Sequence, residues 1–401
     1  MTEFRDPLNR VLNGQPAPFV PVAPSYENLG PLQFRRMELT WQHWRARLLA
    51  ARTDRLPVDY QAHLDVAFAV HTEILDSCYP PPAWMGLSLL PPPADLAGCA
   101  VEQRGEDLYW IAAGGQETWL PPDRVTYHAR LAEEKTHSYA HLWEAKLDLD
   151  AIDALEPQSL LSVNEPTAAE VAAEVASGRY ELARRLRTRY HDNLPFYVYT
   201  CSPYGGLLGQ LGFQGMMYAM SQRPDLVHRL LQQSLPQPSL GFAAARAFGV
   251  GLVFMEECLA SADLISPQMH LEFAHAYTRP ALQFFEDRGF RTVLYFSGNL
   301  MPLLPHLNAL PFTAISFEEN RKDYGIDLAE VRRALPDKVL FGNVDAAWLA
   351  FATDDEVMAE VRRQLAVAGR DGRYVLSVGS PFTPETSLSR VRFFCESTQR
   401  L

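Results

Sequence analysis

Two acidic residues, Glu256 and Glu257, directly follow the apolar run "LVFM" at 252–255. Successive side chains of a β-strand point to opposite faces, so at least one of the pair is sent toward the inner face of whatever sheet this run joins. A carboxylate there could serve as a general acid or base, or as a metal ligand. The competing reading is a solvated pair or an ion pair with an arginine, which adds little. The same pattern of an apolar run ending in polar residues recurs along the chain. "FVPVAP" leads to Ser25, Tyr26, Glu27 and Asn28, "FYVYT" to Cys201, Ser202 and Tyr204, and "TVLYF" to Ser297 and Asn299. "TAISF" leads to Glu318, Glu319 and Asn320, "VLFGN" closes on Asn343 before Asp345, and "YVLSV" precedes Ser380. Asn343 and Asp345 have a structural alternative, holding the loop after their strand.

Other chemistry is less well provided for. Cys201 and Cys258 have no histidine within their own motifs to act as base, and a free cysteine often packs as a small hydrophobe. His270 and His275, at i, i+5 within a predicted helix, do not share a ligand face, and His137 and His141 fall in a polar segment. "YTCSPYGGLLGQLGFQG" lacks both GxGxxG and a P-loop lysine, so its glycines are expected to let a loop pack tightly on a rim.

The runs that must position these residues are short, continuous and apolar, as strands covered on both faces are. They are "FVPVAP", "LLSVN" at 160–164, "FYVYT", "LVFME", "TVLYF", "TAISF", "VLFGN" and "YVLSV", with helical patterns between most of them. Ser266–Pro267 forms an N-cap and first-turn pair for a helix that Gly289 ends, and Thr353 precedes three acids that suit a helix N-terminus. Eight such strands predict a closed (β/α)8 TIM barrel in a single 1–401 domain, with catalytic groups at the strands' carboxyl ends. Residues 24–160 then form a long insertion after the first strand, an elaboration or cap over the mouth. It reads as helical at 35–52 and 60–76, then proline-rich, then as a hairpin, "LYWIAAGGQETWL", turning at Gly114–Gly115.

The chain has 401 residues and a formal net charge of -12, and no run of Lys or Arg exceeds two residues. That gives no electrostatic footprint for nucleic acid. The five cysteines are scattered and odd in number, fitting reduced thiols in a cytoplasmic protein. No apolar stretch reaches the roughly 18–20 residues of a membrane span.

In combination, several motifs resemble the uroporphyrinogen decarboxylase superfamily, which includes corrinoid-dependent methyltransferases. "NRVLNGQPAPFVPV" is similar to its first helix and strand, and "SPYGGLLGQLGFQGMMYAMSQRPDLVHRLL" to its "L.G.E…DPELVH.LL" stretch. "ASADLISPQMHLEFAHAYTRP", "VLYFSGNLMPLLPHL", "GNVD" and "YVLSVGSPFTPETSLSRVRFF" extend the likeness. The resemblance implies the barrel, a small-molecule pocket at the strand carboxyl ends, and a homodimer. Two family features are replaced. "APSYENLGP" stands where the decarboxylase has an arginine-rich loop for porphyrinogen carboxylates, so a non-porphyrin substrate is implied. Tyr295, Ser297 and Ser380 stand where zinc methyltransferases have His, Cys and Cys, leaving Glu257 as the acid matching a ligand there. The expectation is a metal-independent decarboxylase without cofactor. In it Glu256 or Glu257 handles a proton, Tyr26 and Tyr295 donate hydrogen bonds, and Ser297, Asn343, Asp345 and Ser380 orient substrate, with Cys201, Tyr204, Asn299 and Glu318 also at the pocket. The alternatives are a methyltransferase served by a corrinoid partner protein, with a rebuilt zinc site, and a non-catalytic binding barrel.

Overall fold

The computed structural model describes residues 7–24, 30–81, 83–134, 145–155, 163–191, 193–318 and 324–401. Its strands are β1 (Arg55–Pro57), β2 (Met85–Gly86), β3 (Ala100–Arg104), β4 (Asp107–Ile111), β5 (Glu117–Leu120), β6 (Phe196–Cys201), β7 (Leu252–Glu257), β8 (Arg291–Phe296), β9 (Ala314–Phe317), β10 (Val339–Phe341) and β11 (Tyr374–Val375). Six of the predicted runs are found in the main sheet, ordered β11-β10-β9-β8-β7-β6-β2 with every pair parallel. A parallel bridge from Val22 to Leu376 adds the "FVPVAP" segment beside β11. Across the seam from it, Trp84 Nε1 donates to Pro24 O at 2.8 Å, just before β2. From Val22 through β2 and β6 to β11, eight segments follow one another around the curled sheet in chain order, the arrangement of a (β/α)8 barrel.

The predicted second strand is corrected. Residues 163 and 164 are not in a strand, Val163 is exposed, and 161–162 lie outside the described residues. The second position belongs to Met85–Gly86, a two-residue ladder against Phe196 and Tyr197. Residues 24–160 are therefore not one insertion between consecutive strands, since a strand of the parallel sheet lies inside them. Around it stand helices Pro31–Ala51 and Tyr60–Ser77 and an antiparallel sheet ordered β1-β3-β4-β5. The expected hairpin is β4–β5, closed by Gly115 N donating to Ala112 O, with Gly115 at φ 82°.

Strand parity sorts the core into two layers. Tyr197, Leu252, Phe254, Val293, Ala314, Val339, Phe341 and Val375 pack with Trp84 inside the curl, joined by Leu8, Val11 and Leu12 of helix Pro7–Leu12. Their neighbours Val253, Met255, Leu294, Phe296, Ile315, Phe317 and Leu340 face the helices instead. Each fully buried large side chain in these layers is worth about 1.5–3 kcal/mol.

The helix predicted from Ser266 is capped as expected, Ser266 Oγ accepting from Met269 N at 3.2 Å. It continues as a π-helical turn over His270–His275 and then as Ala276–Asp287. That wider turn brings the two histidine rings to 6.3 Å despite their i, i+5 spacing, while His270 Nδ1 lies 2.9 Å from Ala260 O and His275 Nε2 lies 3.1 Å from His306 O, so each ring is tied to a different carbonyl. Thr353 and Glu356 make a reciprocal capping box for Asp354–Ala368. The glycine-rich stretch is a helix rather than a loop, Pro203–Gln222, capped by Ser202 and broken at Gly212 with φ 72°.

Candidate active site at the carboxyl ends of the strands

Because Leu252 and Phe254 point into the curl, Glu256 does too, while Glu257 points out with Val253 and Met255. The same parity turns Tyr199, Cys201, Tyr295, Ser297, Ser316, Glu318 and Asn343 inward at the strands' carboxyl ends. Their register is tight: Cys201, Glu256, Tyr295 and Ser316 are successive partners across β6, β7, β8 and β9.

Glu256 is the centre of this group. Its Oε2 accepts from the Tyr199 hydroxyl, and its Oε1 accepts from Cys258 Sγ at 2.7 Å. Tyr199 Oη also lies 3.5 Å from Cys201 Sγ. Ser297 bonds to the Cys258 thiol. Burial, reinforced by the Glu256 carboxylate, pushes the Cys258 thiol well above its usual range, and burial likewise raises Tyr199 and Cys201. All three therefore stay protonated at neutral pH, and around Glu256 they are donors rather than nucleophiles.

The other inward residues are braced. Glu318 Oε2 accepts from Gly298 N at 3.1 Å and from Tyr324 Oη at 3.4 Å, and Asn343 Nδ2 donates to Glu318 O at 3.3 Å. Phe254 and Tyr295 are stacked at 5.7 Å.

Several expected site residues stand elsewhere. Glu257 is buried behind β7, Oε2 accepting from Thr278 Oγ1 at 2.6 Å, and Tyr204 is buried on the same outer side among Leu207, Leu208 and Ile152. Asp345 caps helix Ala346–Phe351, accepting from Ala347 N and Trp348 N at 2.8 and 2.9 Å. Asn299 is used in its own turn, Oδ1 accepting from Met301 N at 3.1 Å. Ser380 is buried in the loop after β11. Tyr26, with Glu319 and Asn320, lies outside the described residues. Sequence reasoning missed Tyr199, although its position two residues before Cys201 carried the signal, and gave Cys258 no partner because it sought a histidine.

The turn at Ser297–Asn299 is pinned by geometry. Gly298 has φ 90°, and a Cβ there would lie 2.1 Å from Ser261 Oγ and 2.8 Å from Asp263 Oδ1. Gly298→Ala is expected to cost about 2 kcal/mol in a urea titration, from the strained backbone and the contact together.

The donor set does not fit the zinc site that the sequence resemblance implied under the methyltransferase alternative. Tyr295, Ser297 and Ser380 offer no thiolate or imidazole, and no three His, Cys, Asp or Glu side chains among the described residues form a group able to take a metal ion.

A parallel barrel with its polar residues gathered at the strands' carboxyl ends is the architecture of barrel enzymes. Within that class the family can be stated: the uroporphyrinogen decarboxylase (URO-D) profile matches residues 155–401, and the chain belongs to this family. It is 27% identical over 218 residues to the uroporphyrinogen decarboxylase of Nitrosomonas europaea, taking in 51% of this chain and 59% of that protein. The match thus spans under two-thirds of that relative's length. A methyltransferase from Methanosarcina mazei shares the fold, with a TM-score of 0.56 at 18% identity, over 98% of this chain and 97% of that one. No helix among the described residues is long and apolar enough to cross a membrane.

Proposed function

We propose that the protein is a metal-independent lyase that decarboxylates a non-porphyrin carboxylated small molecule, with Glu256 as its general acid and base. The observation that carries this reading is the inward carboxylate of Glu256, fixed by Tyr199 on one oxygen and Cys258 on the other. Breaking a C–CO2 bond leaves an electron pair on carbon that must take up a proton. Glu256, loaded from solvent, gives that proton, and its two donors stabilise and aim the carboxylate that results. Tyr295 and Ser297 stand beside it to bind substrate.

The test is CO2 release from a panel of aromatic, heteroaromatic and keto acids. Glu256→Gln is expected to lower kcat about a hundredfold on any acid that is turned over, with an unchanged melting curve. A Glu256→Gln protein as active as its parent sinks the assignment.

One observation favours a second reading, methyl transfer from a corrinoid partner: two thiols, Cys201 and Cys258, flank the same carboxylate. Stoichiometric zinc in protein purified without chelator, together with demethylation of methylcobalamin, would replace the lyase reading with this one.

A further inference from the structure

Resting on the lyase reading, we propose that the site takes a flat organic cation bearing its own carboxylate, of the class of N-alkylated pyridinium or imidazolium carboxylates. The electrons of the breaking C–CO2 bond need a sink. A lysine Schiff base is one, but the two described lysines are committed elsewhere: Lys146 Nζ donates to Gly209 O at 2.6 Å, and Lys338 Nζ to Leu310 O and Phe312 O. A bound metal is another, and among the described residues no donor set for one converges. A sink carried by the substrate itself needs neither, and a cationic ring nitrogen next to the carboxyl-bearing carbon is such a sink.

The wall of the site matches that cation. Tyr199, Phe254 and Tyr295 form a row of nearly parallel rings, 6.4 and 5.7 Å apart and tilted by 24° and 19°. Tyr199 is 51% exposed, so its ring is open to a ligand. The quadrupole of an aromatic face attracts a cation. Glu256 projects from the same wall, Cα partner to both Cys201 and Tyr295, and no Lys or Arg among the described residues pairs with it. In the reaction the C–CO2 bond breaks and CO2 leaves. The electron pair stays on carbon as a nitrogen-stabilised ylide, and Glu256, ionised while it seats the cation, relays a proton from solvent to that carbon to form the new C–H bond, ending as the carboxylate it began as.

Calorimetric titration of the full chain with N-methylpyridinium chloride and, separately, sodium benzoate separates the cation from the carboxylate. N-methylpyridinium is expected to saturate one site at least about tenfold more tightly than benzoate. Tyr199→Phe, which keeps the ring, should retain that affinity, whereas Tyr199→Leu and Glu256→Gln should each weaken it about five- to tenfold. If Tyr199→Leu fails to fold, Glu256→Gln alone decides. Benzoate binding as tightly as the cation, or Glu256→Gln leaving the cation's affinity unchanged, overturns the proposal. Release of CO2 from N-methylpyridinium-2-carboxylate supports both readings. Cation binding without CO2 from any acid keeps the cation seat and removes the lyase chemistry, while turnover of uncharged acids without cation binding does the reverse.

Discussion

Gly342→Ala is expected to lose at least about 4 kcal/mol of folding stability, the largest effect of any single methyl addition near the site. Gly342 lies just past β10, and its N–H continues the ladder to Val375 O at 2.8 Å. A Cβ there would sit 1.6 Å from Tyr374 Oη, 2.3 Å from Cζ and 2.7 Å from Cε2. Tyr374 has no room to yield, because it is fully buried and its hydroxyl donates to Gln364 Oε1, itself held by Gln364 Nε2 donating to Glu360 at 2.8 Å. Rotating the ring away would strand Gln364 Oε1 in the core and open a cavity, and the two costs add. The measurement is the urea midpoint, or soluble yield if the variant does not accumulate. Tyr374→Ala supplies the control: combined with Gly342→Ala it should cost clearly less than the sum of the two single losses. Additive losses would mean that the ring does not set the identity of residue 342.

How far the sequence disclosed this arrangement depended on length of pairing. Most of the strands were legible because β7, β8, β9 and β10 each contribute three or more buried residues, and a continuous apolar run of that kind rarely sits anywhere but in a covered sheet. Met85–Gly86 was not legible: two paired residues beside a proline-rich tract carry no periodicity, and the longer "LLSVN" outweighed them. The functional pair failed for a related reason. "LVFM" is apolar at every position, so it gives no sign of which parity faces the curl. Glu256 is told from Glu257 by Phe254 and Tyr197 packing with Trp84, a tertiary fact. Asp345 was ambiguous because a carboxylate directly before a helical turn serves equally as a cap or a ligand, and the cap won. Family likeness pointed to the carboxyl ends of the strands without deciding which acid faces the curl.

Glu257→Gln is expected to gain stability relative to the parent as pH rises, by about 3 kcal/mol in all. Burial raises this carboxyl from its ordinary 4.5 to about 7, with the hydrogen bonds from Thr278 and Ser202 offsetting only part of that shift. Its Oε1 is buried without a partner, which is why the charged form is so poorly served. Between pH 4.5 and 7 the folded chain keeps a proton that the unfolded chain has released. The parent's stability therefore carries a term that is fully present below 4.5, falls by about 1.4 kcal/mol per pH unit as pH rises, and is spent above 7. His270, lowered by burial to about 4, acts with the opposite sign, but it is common to both proteins and cancels in the difference. Gln cannot titrate, so unfolding free energies of parent and variant measured from pH 4 to 8 should diverge steadily through that window and run parallel outside it. A constant offset across the whole range would show that Glu257 is already ionised in the fold. Divergence with unchanged pH dependence of turnover would place Glu257 in the frame behind β7, leaving the proton chemistry to Glu256 one residue before it.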